Sequence, residues 1–282
     1  MIHTIQNGQM KVQVNDLGAE LYSVLVDGKE RLWQNADGSW DGHAPVLFPF
    51  CGNCEMVLDG VHYGRGFHGV VSQKQFTCTR KTHTEITFIA SQDAQTLKSY
   101  PFSFEFSVTY TVQQDLLQVR YDVKNTDSRT LYYACGGHES FLLDRDVDAY
   151  ELVFSQAEAF THYPHNENGR LTGERQPRGH GNIVPLEKED LSNGDTLILG
   201  GLRSDRVLLR EKDTGKAVME ASFPGFENLL LWRSGEAKMI CVEPWQNLPD
   251  YADKTQEFGS KAGVRGLLPG CEESFVRTIR YY

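Results

Sequence analysis

Apolar and polar positions along the chain alternate with a period of two rather than 3.6. Met10, Val12 and Val14 alternate with Lys11, Gln13 and Asn15, and a second apolar segment over 17–26 runs into Asp27-Gly28, a dipeptide suited to a tight hairpin. The clearest case is Phe102, Phe104, Phe106, Val108, Tyr110 and Val112, which turn at Gln113-Gln114-Asp115 and return as Leu117, Val119, Tyr121 and Val123. Such a pair predicts antiparallel strands with one buried face. Further strands are predicted at 75–80, 84–90, 131–135, 150–154 and 196–199, and at 206–210 paired with 217–223 across Asp213-Thr214-Gly215. Helical periodicity is confined to a short stretch, 93–99. This pattern predicts an all-β protein of antiparallel sheets, a sandwich or large barrel with few short helices.

One stretch combines a buried strand with chemistry. The run Leu229-Leu230-Leu231-Trp232 is followed by Met239-Ile240-Cys241-Val242, which ends in Glu243-Pro244-Trp245. Proline cannot donate to a sheet ladder, so the acid stands where pairing stops. A carboxylate at a strand end beside Trp245, with Trp232 on the preceding run, offers a fixed acceptor and flat apolar surfaces, the ingredients of a sugar pocket. The longest polar interval, 161–182, reads as an exposed connection bordering such a site.

Composition narrows the class. With 282 residues, 40% hydrophobic and 11% aromatic, the chain can bury one large core, and no repeat or linker divides it, so 1–282 is read as a single domain. A net charge of -10, with no basic run, argues against nucleic acid or an anionic membrane as partner. No apolar stretch approaches the roughly 18 residues of a membrane span, and the N-terminus lacks the charged and apolar regions of a leader, so a cytoplasmic location is expected.

Candidate chemistry outside the Glu243 strand is sparser. Cys51-Gly52-Asn53-Cys54 has the spacing of a redox dithiol or half a zinc site, but no helix N-terminus or second ligand pair accompanies it. Cys78, Cys135 and Cys241 fall in apolar runs and read as small buried hydrophobes. His162 and His165 could ligate a metal or be solvated loop residues; the intervening proline favours the latter. His68, in Gly66-Phe67-His68-Gly69, and His138, in Gly136-Gly137-His138-Glu139, are each flanked by glycines that let backbone approach a ligand. Either alone could be structural. Together with Glu243 they form a plausible acid/base set, because imidazole titrates near neutrality and a carboxylate near pH 4.

With these residues on view, the chain resembles the aldose 1-epimerase (galactose mutarotase-like) family, in its LacX-type branch. The matching motifs run in order along the whole chain: Leu17-Gly18-Ala19-Glu20-Leu21, Pro45–Gly52 as Pro-Val-Leu-Phe-Pro-Phe-Cys-Gly, Gly66-Phe67-His68-Gly69, Gly136-Gly137-His138, Phe223-Pro224-Gly225-Phe226 and Cys241-Val242-Glu243-Pro244-Trp245. The resemblance implies a large antiparallel β-supersandwich, no metal or organic cofactor, and interconversion of the α and β anomers of a free aldohexose by acid/base ring opening and reclosure. It further implies Glu243 as base, His138 as acid for the ring oxygen and His68 as the second histidine near that oxygen. Asp205 resembles the family aspartate that grips sugar hydroxyls, and Trp232 and Trp245 would pack on the sugar. Asn53 stands where the family usually has an arginine, and Arg65 is the candidate to reach in instead. Glu139 follows His138 where many relatives have proline, and a carboxylate there would favour the protonated imidazole.

Two other functions fit the same resemblance. One is a hexose-6-phosphate 1-epimerase, which needs a cationic clamp from residues such as Arg65, Arg170, Arg175 or Arg178. The other is a non-catalytic sugar-binding or sensing protein, suggested by Asn53. A small-molecule sugar is the expected partner in all three, with the chain a monomer or homodimer.

Overall fold

A computed structural model describes residues 1–282, apart from the side chain of Asn193. The architecture is built from antiparallel sheets, as the period-two pattern predicts. The alternating segments become the paired strands Phe104–Gln113 and Leu116–Asn125, joined by the two-residue turn Gln114-Asp115 with Gln113 opposite Leu116. Their inward side chains, among them Phe104, Phe106, Val108, Leu117 and Tyr121, are buried. At Asp27-Gly28 both residues have positive φ (50° and 78°), the geometry of a type I′ hairpin, and Val26 pairs with Lys29 across it.

The largest sheet carries fifteen strands. From one end its order is Val46–Leu47, Gly136–Gly137, Met239–Trp245, Asn228–Trp232, Leu197–Gly200, Tyr150–His162, Arg206–Glu211, Ala217–Ser222, Glu272–Tyr281 and Leu116–Asn125, then on through Phe104–Gln113 to Glu85–Ser91 and Thr77–Lys81. Every pairing within it is antiparallel. A separate four-stranded sheet forms from the N-terminal segment, Ile2–Gln6 through Lys29–Glu30. Val12, Val14, Leu21 and Val24 of that sheet join the same buried cluster as Phe88, Phe104 and Phe106. At the centre of this core Phe48 stacks on Phe106, with ring centroids 4.4 Å apart and planes 10° from parallel.

Two readings of the sequence need correction. The interval 161–182 is not wholly a connection: Gln176–Pro185 is a strand pairing with Tyr150–His162. It pairs on that side only and is exposed along most of its length, so it shows no apolar alternation to read. The helical stretch 93–99 shrinks to one turn, Thr96–Ser99, with Asp93 Oδ1 accepting the N–H groups of Gln95 and Thr96 just before it. No helix among the described residues is long and apolar enough to cross a membrane.

Candidate active site

The site is laid out by the alternation of one strand. In Met239–Trp245 the side chains of Cys241, Glu243 and Trp245 project to one face. On one flank Leu230 pairs with Glu243 and Trp232 with Cys241, and Ile198 lies beyond Leu230. On the other flank Gly136 pairs with Trp245 and Glu139 with Val242, and the same register across the unpaired residue between them sets His138 opposite Glu243. Of these, His138, Ile198, Leu230, Trp232, Glu243 and Trp245 floor a hollow of about 390 Å3, which Trp40, Phe67, His68, His165, Glu167 and Thr196 help to wall; Cys241 is fully buried and lies outside its lining. That volume lies within the range of small-molecule sites.

At the floor Glu243 Oε2 lies 3.3 Å from His138 Nε2. Trp245 Nε1–H donates to the same oxygen at 3.1 Å, fixing the carboxyl plane. The His138 ring stacks on Trp40 (centroids 5.3 Å, planes 27° apart) and meets Trp232 edge to face at 6.0 Å. Two indoles thus clamp the imidazole and strip it of water.

His68 reaches the hollow through an unusual backbone. Its φ is +60°, and Gly69 behind it has φ +81° with a virtual Cβ only 2.0 Å from the Phe48 carbonyl oxygen, so no larger residue fits there. Gly52 N–H donates to His68 Nδ1 at 3.2 Å. A neutral imidazole that accepts at Nδ1 carries its proton on Nε2, so His68 keeps a ring N–H as donor. Its ring meets His138 at 5.3 Å and Trp245 at 5.4 Å, both edge to face.

Burial decides the charge states. Desolvation pulls His138 down to about 4, and desolvation with the neighbouring His138 pulls His68 down to about 3. Burial pushes Glu243 well above the carboxylate range, against the opposing hydrogen bond from Trp245. At neutral pH both imidazoles are therefore uncharged, and Glu243 resists ionisation more than a free carboxyl group does.

The expected role of Glu139 fails, and strand alternation explains why. Residues 138 and 139 point to opposite faces, and Glu139 is tied on the core side by the buried Arg277, so it does not hold His138 in its protonated form.

Of the residues singled out in the sequence, Glu243, His138, His68, Trp232 and Trp245 converge on the hollow. Three do not line it. Asp205 is exposed at the start of Arg206–Glu211, which Tyr150–His162 separates from the hollow's own strand Leu197–Gly200, and among the described residues only its carbonyl is engaged, by Phe223 N–H. Arg65 is paired across its hairpin with Glu55 at 3.1 Å. Asn53 is buried behind the rim, its Nδ2 donating to the Asn168 carbonyl at 2.7 Å, so it shapes the 165–170 loop instead of facing a ligand.

His162 and His165 are not solvated loop histidines: His165 Nε2 accepts the Thr196 N–H and His162 Nδ1 the Ile198 N–H, anchoring the loop to the wall strand. Cys51 and Cys54 are fully buried, with Cys54 pushed up to about 12 by desolvation, so neither has the exposed thiolate of a redox pair. Trp40, which also walls the hollow, leaves only a faint sign in the sequence: an aromatic between Gly38 and Gly42 in a polar loop, with no periodicity to place it.

The fold and its open hollow are those of the galactose mutarotase-like class of proteins. The sequence model for aldose 1-epimerase matches residues 1–184, and the chain belongs to that family. It is 30% identical over 286 residues to the chromosomal LacX protein of Lactococcus lactis subsp. lactis, with 94% of each chain covered. A galactose mutarotase-like protein from Lactobacillus casei ATCC 334 superposes with a TM-score of 0.93 at 27% identity, covering all of both chains. The galactose 1-epimerase of Lactobacillus acidophilus NCFM, at 14% identity and a TM-score of 0.71 over 99% of this chain and 93% of its own, shares the fold.

Proposed function

We propose that the protein is a cofactor-independent aldose 1-epimerase acting on a free aldohexose, with Glu243 and His138 as the proton-transfer pair and His68 as a donor to the sugar. The observation that carries this reading is the 3.3 Å approach of Glu243 Oε2 to His138 Nε2 at the floor of an open hollow. One member of the pair takes the proton from the sugar's 1-hydroxyl while the other delivers a proton to the ring oxygen, and the C1–O5 bond breaks. The open-chain aldehyde turns about C1–C2. Reclosure on the other face runs both proton transfers backwards, so the pair ends with the proton count it began with. No external acid or base is consumed.

Two uncharged imidazoles suit a neutral substrate. Each positioned proton-transfer group contributes roughly 10²–10⁴-fold. His68, uncharged at neutral pH, supports the reading as a hydrogen-bond donor to the ring or 1-oxygen, and Trp232, Trp245 and Trp40 offer apolar faces for the sugar's C–H surface. No lysine or arginine lines the hollow among the described residues, which favours a free sugar over its phosphate. The test is polarimetry with freshly dissolved α-glucose, α-galactose and glucose 6-phosphate. Accelerated equilibration of a free sugar, lost in Glu243→Gln, is expected; acceleration of the phosphate alone, or none at all, would refute the reading.

A further inference from the structure

Cys241 takes no part in the chemistry above and does not line the hollow, yet it is buried directly beside two residues that do. It stands two residues before Glu243 on the same strand face, and His138 comes in from the neighbouring segment. The ligand atoms of His138, Cys241 and Glu243 all lie within 4.8 Å of one another, and all three residues are buried. A tetrahedral zinc ion with bonds of about 2.0–2.3 Å sets its ligand atoms roughly 3.4–3.6 Å apart. The His138–Glu243 separation of 3.3 Å is already close to that. The thiol has at most about an ångström to travel, and a fourth position faces the hollow, where water can complete the shell.

We propose that this trio is an inhibitory site for a soft divalent cation, Zn2+ or Cd2+. The donor set selects the class of ion: a thiolate with an imidazole favours zinc and cadmium over magnesium or calcium. Charge also balances. A dication facing one thiolate, one carboxylate and one neutral imidazole leaves no net charge in a place where unpaired charge is costly. Binding releases the thiol proton, and any proton held on the carboxyl group, to solvent. The two groups that would move protons for the sugar become metal ligands, so the ion and the reaction exclude each other. Inhibition rests on the proposed function; binding of the ion does not.

The experiment titrates the full chain with Cd2+, following the ultraviolet thiolate-to-metal charge-transfer band and counting bound ions by equilibrium dialysis. One ion per chain with a full band is expected. Cys241→Ser should remove the band and weaken binding by at least about 100-fold, since even groups that only support a metal ligand are worth 10–100-fold. Glu243→Gln, which preserves side-chain shape, should weaken binding while keeping the band. Cys271→Ser, at an exposed cysteine, should change neither. In parallel polarimetry Zn2+ should suppress the accelerated equilibration, a chelator should restore it, and the ratio of activities with and without Zn2+ should rise toward one in Cys241→Ser. A band that survives in Cys241→Ser, a band lost in Cys271→Ser, or bound ion without inhibition of an active enzyme would each overturn the proposal. A full band on a protein with no activity to inhibit would leave the metal site standing and count against the epimerase reading alone.

Discussion

Arg277 grips Glu139 with two nitrogens on the core side of the segment that carries His138: Nη1 donates to Oε2 at 2.8 Å and Nη2 to Oε1 at 2.6 Å. Nη2 also donates to the Tyr121 hydroxyl, which in turn donates to the Gly136 carbonyl at 3.3 Å. The guanidinium lies so close under Gly137 that a Cβ there would sit 2.3 Å from Nη1. Both partners are buried, so the pair fixes the Gly136-Gly137-His138 backbone from below.

Breaking that pair on one side should be costly. Arg277→Met leaves the Glu139 carboxylate buried without its partner, a situation that typically costs about 3–5 kcal/mol. Adding Glu139→Gln to Arg277→Met removes the stranded charge and should recover a large part of the loss. Urea unfolding of the wild type, both single variants and the double variant gives the comparison. A double variant no more stable than Arg277→Met would show that packing, not charge, is what the pair supplies.

What could be read beforehand follows burial. Strands with one wet and one dry face, such as Met10–Asn15 and Phe104–Gln113, announce themselves by alternation. Val61–Phe67 and Gln176–Pro185 are exposed along most of their length, so nothing in their sequence is forced to alternate, and they stayed unread. His68 and His138 were legible because close approach requires glycines, which leave marks in one dimension; the expectation that pairing stops at Glu243 is corrected, since the ladder runs on through Pro244 to Trp245. Asp205 was misplaced for the opposite reason: four residues name the start of a strand but not its position in a fifteen-stranded sheet. The pairing of Glu139 with Arg277 spans 138 residues, a distance no local pattern reports.

Glu243 is held where ionisation is disfavoured, so removing its charge should separate function from stability. Glu243→Gln keeps the shape and leaves an oxygen for Trp245 Nε1–H, while the proton-transfer role disappears. A fall of roughly 10²–10⁴-fold in kcat is expected. At neutral pH the variant should melt at or above the wild-type temperature, because the folded wild type must either bury a charge or retain a proton that the unfolded chain gives up. Polarimetry and a thermal melt on one preparation check both halves. A strongly destabilised variant would mean that the carboxyl group is chiefly structural.

Gly69 sets the conformation of His68 without touching a ligand. Gly69→Ala forces a Cβ to within 2.0 Å of the Phe48 carbonyl oxygen at a φ of +81°, and backbone on both sides must shift. A loss of at least about 2 kcal/mol is expected, in line with strain at special backbone positions. Activity should also fall in whatever fraction remains folded. Gly60→Ala, at a comparable φ of +75° but with open space around its Cβ, is the control and should cost less. Equal losses in the two variants would assign the effect to φ alone.

The buried histidines also give stability a pH dependence whose sign can be worked out. Unfolded, both imidazoles take up protons as pH falls through about 6.5; folded, His138 resists until about 4 and His68 until about 3. Between these limits the unfolded chain binds more protons, so these two groups make stability fall as pH drops from about 6.5 to about 4. Glu243 acts in the other direction, since its raised folded pKa costs stability as pH rises above 4.5. Two groups against one leave a net loss on acidification. His68→Phe removes one of the two, so its melting temperature should decline less than the wild type's between pH 6.5 and pH 4. A variant curve parallel to the wild type's would mean that His68 is protonated in the folded protein, and with it would go the uncharged donor on which the proposed epimerisation depends.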